Sequence, residues 1–265
     1  MKKPFIHLRL LSSYSLSEST LKIKKLVGLA KKNHMPALAI TDNNNMFGVF
    51  EFAQECINNN IQPIIGTSIN LLDVRNKDKI SQLSFLVKNE IGYKNLIFLS
   101  SLSYLNKYAD IGITLKDLEN HTEGLFCFLG GEYNPLLILH NENKETDDLI
   151  NKLKDLFKNT LLFELQRIND VELDRFENYL IEKSNLHKIP LIGSNNIKFG
   201  NEDDFSAHDA LLCVAQKTTI NSGNRKTSNN NLSFKSSNQM LEIFTDIPEI
   251  FENNHSIATS CSYYP

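Results

Sequence analysis

Met35-Pro36-Ala37-Leu38-Ala39-Ile40-Thr41-Asp42-Asn43-Asn44-Asn45-Met46-Phe47-Gly48 runs from a short apolar strand into a polar turn and on toward a helix. Pro36 ends the preceding helical pattern, and Ala37–Thr41 carries no charge and no alternation. A strand of that kind is buried on both faces, which requires helices or other strands on either side. Asp42 and the asparagines supply turn chemistry, because their short polar side chains bond the nearby backbone. An Asp in that place organises a turn or caps the next helix.

The same unit recurs along the chain. Phe5–Leu11 alternates and reads as a strand, and Thr20 can cap a helix reaching Asn33, with Leu21, Ile23, Leu26, Val27 and Ala30 at helical spacing. A helix over Phe47–Asn58 follows Ala37–Thr41, then strands at Pro63–Leu72 and Leu83–Val87 and a helix over Tyr93–Leu105. Strands at Leu125–Leu129, Leu161–Leu165 and Pro190–Gly193 alternate with amphipathic helices at Asp147–Lys158 and Glu172–Lys183, and a helix at Phe205–Val214 closes the series. Strands alternating with helices predict an α/β fold with a parallel sheet. Seven of them favour a barrel over an open sheet. In barrels the chemistry sits just after each strand.

The totals bound the rest. At 265 residues the chain fits one α/β barrel or two ordinary domains. A net charge of −3 gives no general reason to bind nucleic acid. Cys56, Cys127, Cys213 and Cys261 are widely spaced with no C-x-x-C pair, and read as small apolar residues of a reducing compartment. No signal peptide and no membrane-length apolar run are present, so the expectation is a cytoplasmic protein without a membrane partner. The division expected is a barrel over residues 1–216, an exposed polar loop over 217–233 and a helical extension over 234–265. The last residues, Tyr263-Tyr264-Pro265, come straight after a helix and read as the edge of a domain from a longer protein.

Specific blocks stand at the strand ends. Phe5-Ile6-His7-Leu8-Arg9-Leu10-Leu11-Ser12-Ser13-Tyr14-Ser15 is followed by the stretch opening at Met35, by Pro63-Ile64-Ile65-Gly66, by Asn89-Glu90-Ile91-Gly92-Tyr93-Lys94-Asn95-Leu96, and by Ala207-His208-Asp209. In this order and spacing the chain resembles, over essentially its whole length, the PHP (polymerase and histidinol phosphatase) domains that open the alpha subunits of bacterial DNA polymerase III. The resemblance implies a seven-stranded distorted (β/α) barrel, with C-terminal helices leading toward the rest of a polymerase. It also implies, in metal-binding members, a divalent cluster held by His, Asp, Glu and Cys at the strand ends, where bound water attacks phosphate esters.

This sequence departs from that ligand pattern. Where the family has His-x-His-x-His, the chain has His7, Arg9 and Leu11, and the Asp of the following turn is Glu18. The His after Thr-Asp is Asn43, the Glu after Gly66 is Ser68, and the His opening the fourth strand is Gln82. The Cys position is Gly131, and the late Asn-Asp-x-His block has Asn196 and Lys198 in its ligand places. One imidazole and one carboxylate cannot hold a cluster, and Arg9 and Lys198 add repulsion.

The expectation is therefore a segment with no catalytic, cofactor or metal residues of its own: a structural and docking domain whose metal site is lost. The implied parent is a DNA-directed DNA polymerase with Mg²⁺ in its core. The implied partners are the rest of the alpha chain and the proofreading exonuclease (epsilon) subunit, with replisome and DNA reached through the parent. The alternatives are an active metal-dependent phosphoesterase or proofreading nuclease, and a sugar-phosphate barrel enzyme. Charge balance leads to the expectation that Arg9 pairs with Glu18 or Asp42 while Lys198 reaches toward water. His208-Asp209 imitates a catalytic dyad, but neighbours on a helix point apart, so capping or core contact is expected. Gly130-Gly131 is too short for a phosphate loop.

Overall fold

The computed structural model describes residues 4–76, 79–106 and 110–265. Six strands form one sheet in chain order: β1 (Ala37–Asn43), β2 (Gln62–Arg75), β3 (Ile80–Val87), β4 (Leu125–Gly130), β5 (Leu161–Gln166) and β6 (Leu191–Ser194). The sheet curls into an open half-barrel.

Its strands are not all parallel. β1 with β2, β4 with β5, and β5 with β6 pair in parallel, but β3 runs antiparallel to both β2 and β4. The cause is the connection. Residues 76–79 join β2 to β3, too few for the crossover that a parallel return requires.

The first expected strand is also different. Phe5–Leu11 makes a single bridge, Leu10 with Ile197, beside a Leu11 N to Ile197 O bond of 3.0 Å. On its other side Ala39 N and Thr41 N donate to His7 O and Leu10 O at 3.0 and 2.8 Å. Side chains then interrupt the ladder, since Leu10 N donates to Thr41 Oγ1 at 3.0 Å and Ser12 N to Asp42 Oδ1 at 2.7 Å. The segment lies alongside β1 without becoming a strand of the sheet.

Helices α1 (Ile23–Lys32), α2 (Val49–Asn58), α3 (Glu90–Leu105), α5 (Asp147–Phe157), α6 (Val171–His187) and α7 (Phe205–Ala215) follow the apolar periodicity, with α4 (Pro135–Asn141) between α3 and α5. The sequence reading missed α4, a short helix that Asn134 caps through Leu136 N with proline in its first turn. Thr20 does not cap α1. Its amide donates to Lys198 O at 3.0 Å, so residues 13–21 are held to the strand end and the helix begins later. The block Asn89–Leu96 seats α3. Asn89 caps Gly92 N at 3.0 Å, Asn95 Nδ2 donates to Glu123 O at 2.9 Å, and Gly92 lies so close to the backbone of Gly124 that any Cβ would collide.

Strand alternation sorts the core into two layers. Leu38, Ile40, Phe163 and Leu165 face the helices, while Ala37, Ala39, Ile64, Leu86, Phe128, Leu162 and Ile192 face inward. Helices α8 (Ser237–Ile243) and α9 (Glu249–Ser260) fold back underneath, and Ile257, Ala258 and Cys261 join that inner layer. The amino ends of the parallel strands are thereby stoppered. All four cysteines are buried thiols, and among the described residues no helix is long and apolar enough to cross a membrane.

Asn254 on α9 fastens this stopper. Its Nδ2 donates to Ile6 O at 3.1 Å and Gly193 O at 2.9 Å, and its Oδ1 accepts from Gly193 N at 3.2 Å. Replacing it by leucine strands buried backbone groups, each costing about 1–3 kcal/mol. Asn254→Leu is expected to lose on the order of 3 kcal/mol in urea unfolding; a loss within error of wild type would show that the stopper does not depend on it.

Candidate functional site

With the amino ends closed, the inward residues change character toward the carboxyl ends. On β5 the inward series is Leu162, Glu164, Gln166, and continuing through β6 it is Ile192, Ser194, Asn196. On antiparallel β3 the same direction reads Leu86, Ser84, Gln82. An apolar floor gives way, within two residues per strand, to a polar layer at the mouth.

Arg9 lies in that layer and is 3% exposed. Its Nη1 donates to Glu164 Oε2 at 2.9 Å, and Ser194 Oγ donates to the other oxygen of the same carboxylate at 2.5 Å. The expectation that Arg9 grips a buried carboxylate holds, but the partner is neither Glu18 nor Asp42. Asp42 is already saturated: Ser12 N and Ser15 Oγ donate to Oδ1 at 2.7 and 2.6 Å, and Ser12 Oγ to Oδ2 at 2.6 Å. Burial raises the Asp42 pKa, with these bonds opposing. Its role is to organise the 12–15 turn. Glu18 Oε2 accepts from Asn43 Nδ2 at 2.6 Å instead.

Lys198 does not reach water. It is 6% exposed, its Nζ stands 3.7 Å from Glu132 Oε1, and Lys226 Nζ approaches the other oxygen at 2.7 Å. The loop after β4 brings Glu132 inside, which gives the ammonium a reason to stay. Burial lowers the Lys198 pKa against the pull of Glu132. For Glu132, burial acts upward, but the two ammoniums outweigh it and leave the carboxyl below its ordinary value.

The remaining positions are neutral. Ser68 and Ser84 share a hydroxyl bond of 2.7 Å, Gln82 Nε2 donates to Asn70 Oδ1 at 3.0 Å, and Leu11 is buried. Gly131 has φ +68°, and a Cβ there would sit 2.6 Å from Gln166 Oε1. The paired glycines therefore make room for the side chains of β5. His7 is fully buried between the rings of Phe5 and Phe234. Its Nε2 donates to Lys235 O at 2.8 Å, while Nδ1 has no protein partner.

Above this layer is a cavity of about 1060 Å³, roofed in part by residues 225–232. Arg225 clasps Asp209 in a two-pronged pair at 2.8 and 2.7 Å, and Ser228 N donates to the same carboxylate at 2.8 Å. His208 meets Ser228 Oγ at 2.6 Å and Glu18 O at 2.9 Å. The apparent dyad thus resolves into two anchors for the polar segment after α7. Arg225 draws Asp209 down to about 2.

Among the described residues no group of three or more His, Cys, Asp or Glu side chains converges as a metal-holding set. The donors at the mouth do not fit a divalent cluster, since Glu164 is taken by a guanidinium and Glu132 by two ammoniums. Sequence reasoning missed Glu132, Glu164, Gln166 and Lys226. For β5 the signal was present in Leu161-Leu162-Phe163-Glu164-Leu165-Gln166, where polar residues occupy alternate places of an apolar strand. Lys226 carried no signal.

Removing one member of a buried pair leaves the other charge uncompensated. Arg9→Met is expected to cost about 3–5 kcal/mol, and Arg9→Met with Glu164→Gln to recover most of it. Urea unfolding of the two variants checks this, and a single-variant loss under about 1 kcal/mol would remove the pair from its central place. His7 gives a pH signature. Burial holds it at about 4 in the folded chain, against 6.5 when free. Below 6.5 the unfolded chain takes up a proton that the folded one refuses, so this stability is full above 6.5 and is lost as pH falls toward 4. His7→Gln is expected to flatten the stability profile in that window by about 3 kcal/mol. An unchanged profile would mean that His7 protonates in place.

The PHP domain family matches residues 7–168, more than half of the chain. The DNA polymerase III alpha subunit of Rickettsia conorii is 35% identical over 269 residues, covering 99% of this chain and 22% of its own length. That of Borreliella burgdorferi is 35% identical over 269 residues, covering 97% of this chain and 24% of its own. The chain thus spans less than a quarter of these curated relatives. A solved two-domain protein of Bacteroides vulgatus containing a predicted PHP-like metal-dependent phosphoesterase aligns over 74% of this chain and 52% of its own, with TM-score 0.49 and 11% identity. With the family matched over residues 7–168, which hold the blocks from the first strand end through Asn89–Leu96, the chain belongs to the PHP domain family.

Proposed function

We propose that this chain is the N-terminal structural and docking domain of a replicative DNA polymerase III alpha subunit, with its metal site lost and no catalytic or metal-binding residue of its own. The observation that carries the reading is the Arg9–Glu164–Ser194 triad at the strand ends, where a fixed cation stands among positions at which the family keeps metal ligands. Identity to alpha subunits over nearly the whole chain supports the same placement.

In this reading residues 1–216 form the barrel, with Phe5–Leu11 as a seventh, irregular stave between β1 and the segment after β6. Residues 217–233 form a surface strap, and 234–265 lead toward the remaining polymerase. DNA synthesis with Mg²⁺ belongs to the parent chain, in the cytoplasm and within the replisome. The proofreading exonuclease (epsilon) subunit is the partner of this domain. An active phosphoesterase is disfavoured, because the mouth presents cations and amides where a nucleophile-generating metal would need free carboxylates and imidazoles.

The test is co-expression of the full-length alpha subunit with its own organism's proofreading exonuclease, with and without residues 1–265. The exonuclease is expected to co-purify only with the intact chain. Retention after deletion would place docking elsewhere, and Mn²⁺-dependent nuclease activity of the intact alpha chain that is abolished by His7→Ala would restore the enzyme reading.

A further inference from the structure

The stretch between α7 and Leu232 is held to the domain by polar contacts rather than by burial. Residues 217–231 all belong to the described part of the chain, and none of them is buried. Their one large apolar side chain, Ile220, is 58% exposed. A segment that buries so little apolar surface gains little from the hydrophobic effect when it docks, so its closing rests on charge and hydrogen bonds. Both of its ends are fixed. Lys217, at φ +52°, turns the chain out of α7, and Thr218 N donates to Cys213 O at 3.0 Å. At the far end Leu232 and Phe234 are buried, and Lys198 N donates to Leu232 O at 2.9 Å.

Charge of one sign sits on this segment. It carries Lys217, Arg225 and Lys226 and no acidic residue. Beneath it are carboxylates: Arg225 makes its paired bonds to Asp209 of α7, and Lys226 Nζ stands 2.7 Å from Glu132. Neutral ties gather at the same place. Ser228 gives its amide to Asp209 and meets His208 through its hydroxyl, Lys226 N donates to Gln216 Oε1 at 2.7 Å, and Asn229 Nδ2 donates to Ile168 O. Nearer α7 the segment is open, and a Cβ on Gly223 would meet nothing within 4 Å.

The ties at residues 225–229 lie where the segment roofs the strand-end cavity. We propose that residues 217–231 are a strap that lifts as one unit between Lys217 and Leu232 and opens that cavity, with the Arg225–Asp209 clasp as its latch. Lifting carries both cations away, leaving Asp209 without its guanidinium and Glu132 with Lys198 alone. The uncovered carboxylates draw the strap back, so it is closed at rest. Opening is local, because no apolar layer has to part for it. The inference is independent of any docking role, since it rests only on how this segment is attached.

Native-state hydrogen exchange of the full chain tests it. The Lys226 and Ser228 amides, bonded to Gln216 and Asp209, are expected to show equal protection that low urea leaves unchanged, because lifting uncovers little apolar surface. The Phe163 amide on β5 is expected to be far better protected and to lose protection as urea rises. Arg225→Gln is expected to speed exchange of the two strap amides at least tenfold. A thiol at Ile168, the cavity-wall residue whose carbonyl Asn229 holds, reports the opening itself. Ile168→Cys is expected to react with a bulky maleimide at least tenfold faster when Arg225→Gln is also present, while the four buried native cysteines stay unreactive and so exclude global unfolding as the cause. Strap amides that match Phe163 in protection and urea dependence, strap exchange unchanged by Arg225→Gln, or a thiol rate unchanged by it would each overturn the proposal.

Discussion

A carboxylate on the inward face of a curled sheet must find a positive charge or lose its own. Glu164 finds Arg9, and the two residues lie 155 positions apart in the chain. The pair ties the irregular N-terminal segment to β5 across the interior of the half-barrel. Charge burial on this scale is tolerated only with good geometry and further hydrogen bonds, and Ser194 from β6 supplies one. Arg9 also lies 6.0 Å from the ring centroid of Phe128 on β4, so β4 and β5 meet at one guanidinium, and β6 joins them through Ser194 on Glu164.

A second balance is struck nearer the solvent. Lys198, Glu132 and Lys226 come from the segment after β6, the loop after β4 and the polar stretch after α7. Two cations on one carboxylate leave an excess positive charge, and Glu18 lies close enough to act on Lys198 from the other side. The asparagine- and serine-rich stretch beyond α7 is fastened at this point and again through Asp209 and His208. Its polarity suits a strap that runs over charged groups, and its side chains also hold backbone, as Asn229 Nδ2 does at Ile168 O (2.8 Å).

Periodicity carried most of the architecture. The strand at Ala37–Thr41 and the amphipathic helices were legible because burial on one or both faces leaves a repeat in the residue order. The reversal at β3 was legible only in part, since the missing helix between Leu72 and Leu83 already spoke against a parallel crossover. Phe5–Leu11 misled because alternation reports which face is buried, whereas ladder formation depends on backbone partners, and Thr41 and Asp42 answer those amides with side chains. At the mouth, sequence identified Arg9 as a charge in want of a partner but named the wrong carboxylate. Asp42 was spoken for by two serines, and the true partner lay on a strand whose register cannot be read from one sequence. Lys198 was misjudged for the same reason, its counter-charge being placed by a loop.

Gly131 makes the loss of the ligand set hard to reverse. Its backbone sits in the left-handed region, where a side chain is strained before it touches anything, and the space a side chain would fill is already occupied by Gln166. A single change that puts a side chain at this position therefore meets both strain and collision. Relief needs a simultaneous change on β5, and a lone ligand facing Arg9 and Lys198 would still gain no ion to offset its cost. Glycine at 130 and 131 is thus imposed by what β5 sets against it, Glu164 at the first and Gln166 at the second, so the mouth can be altered there only by changing both strands together.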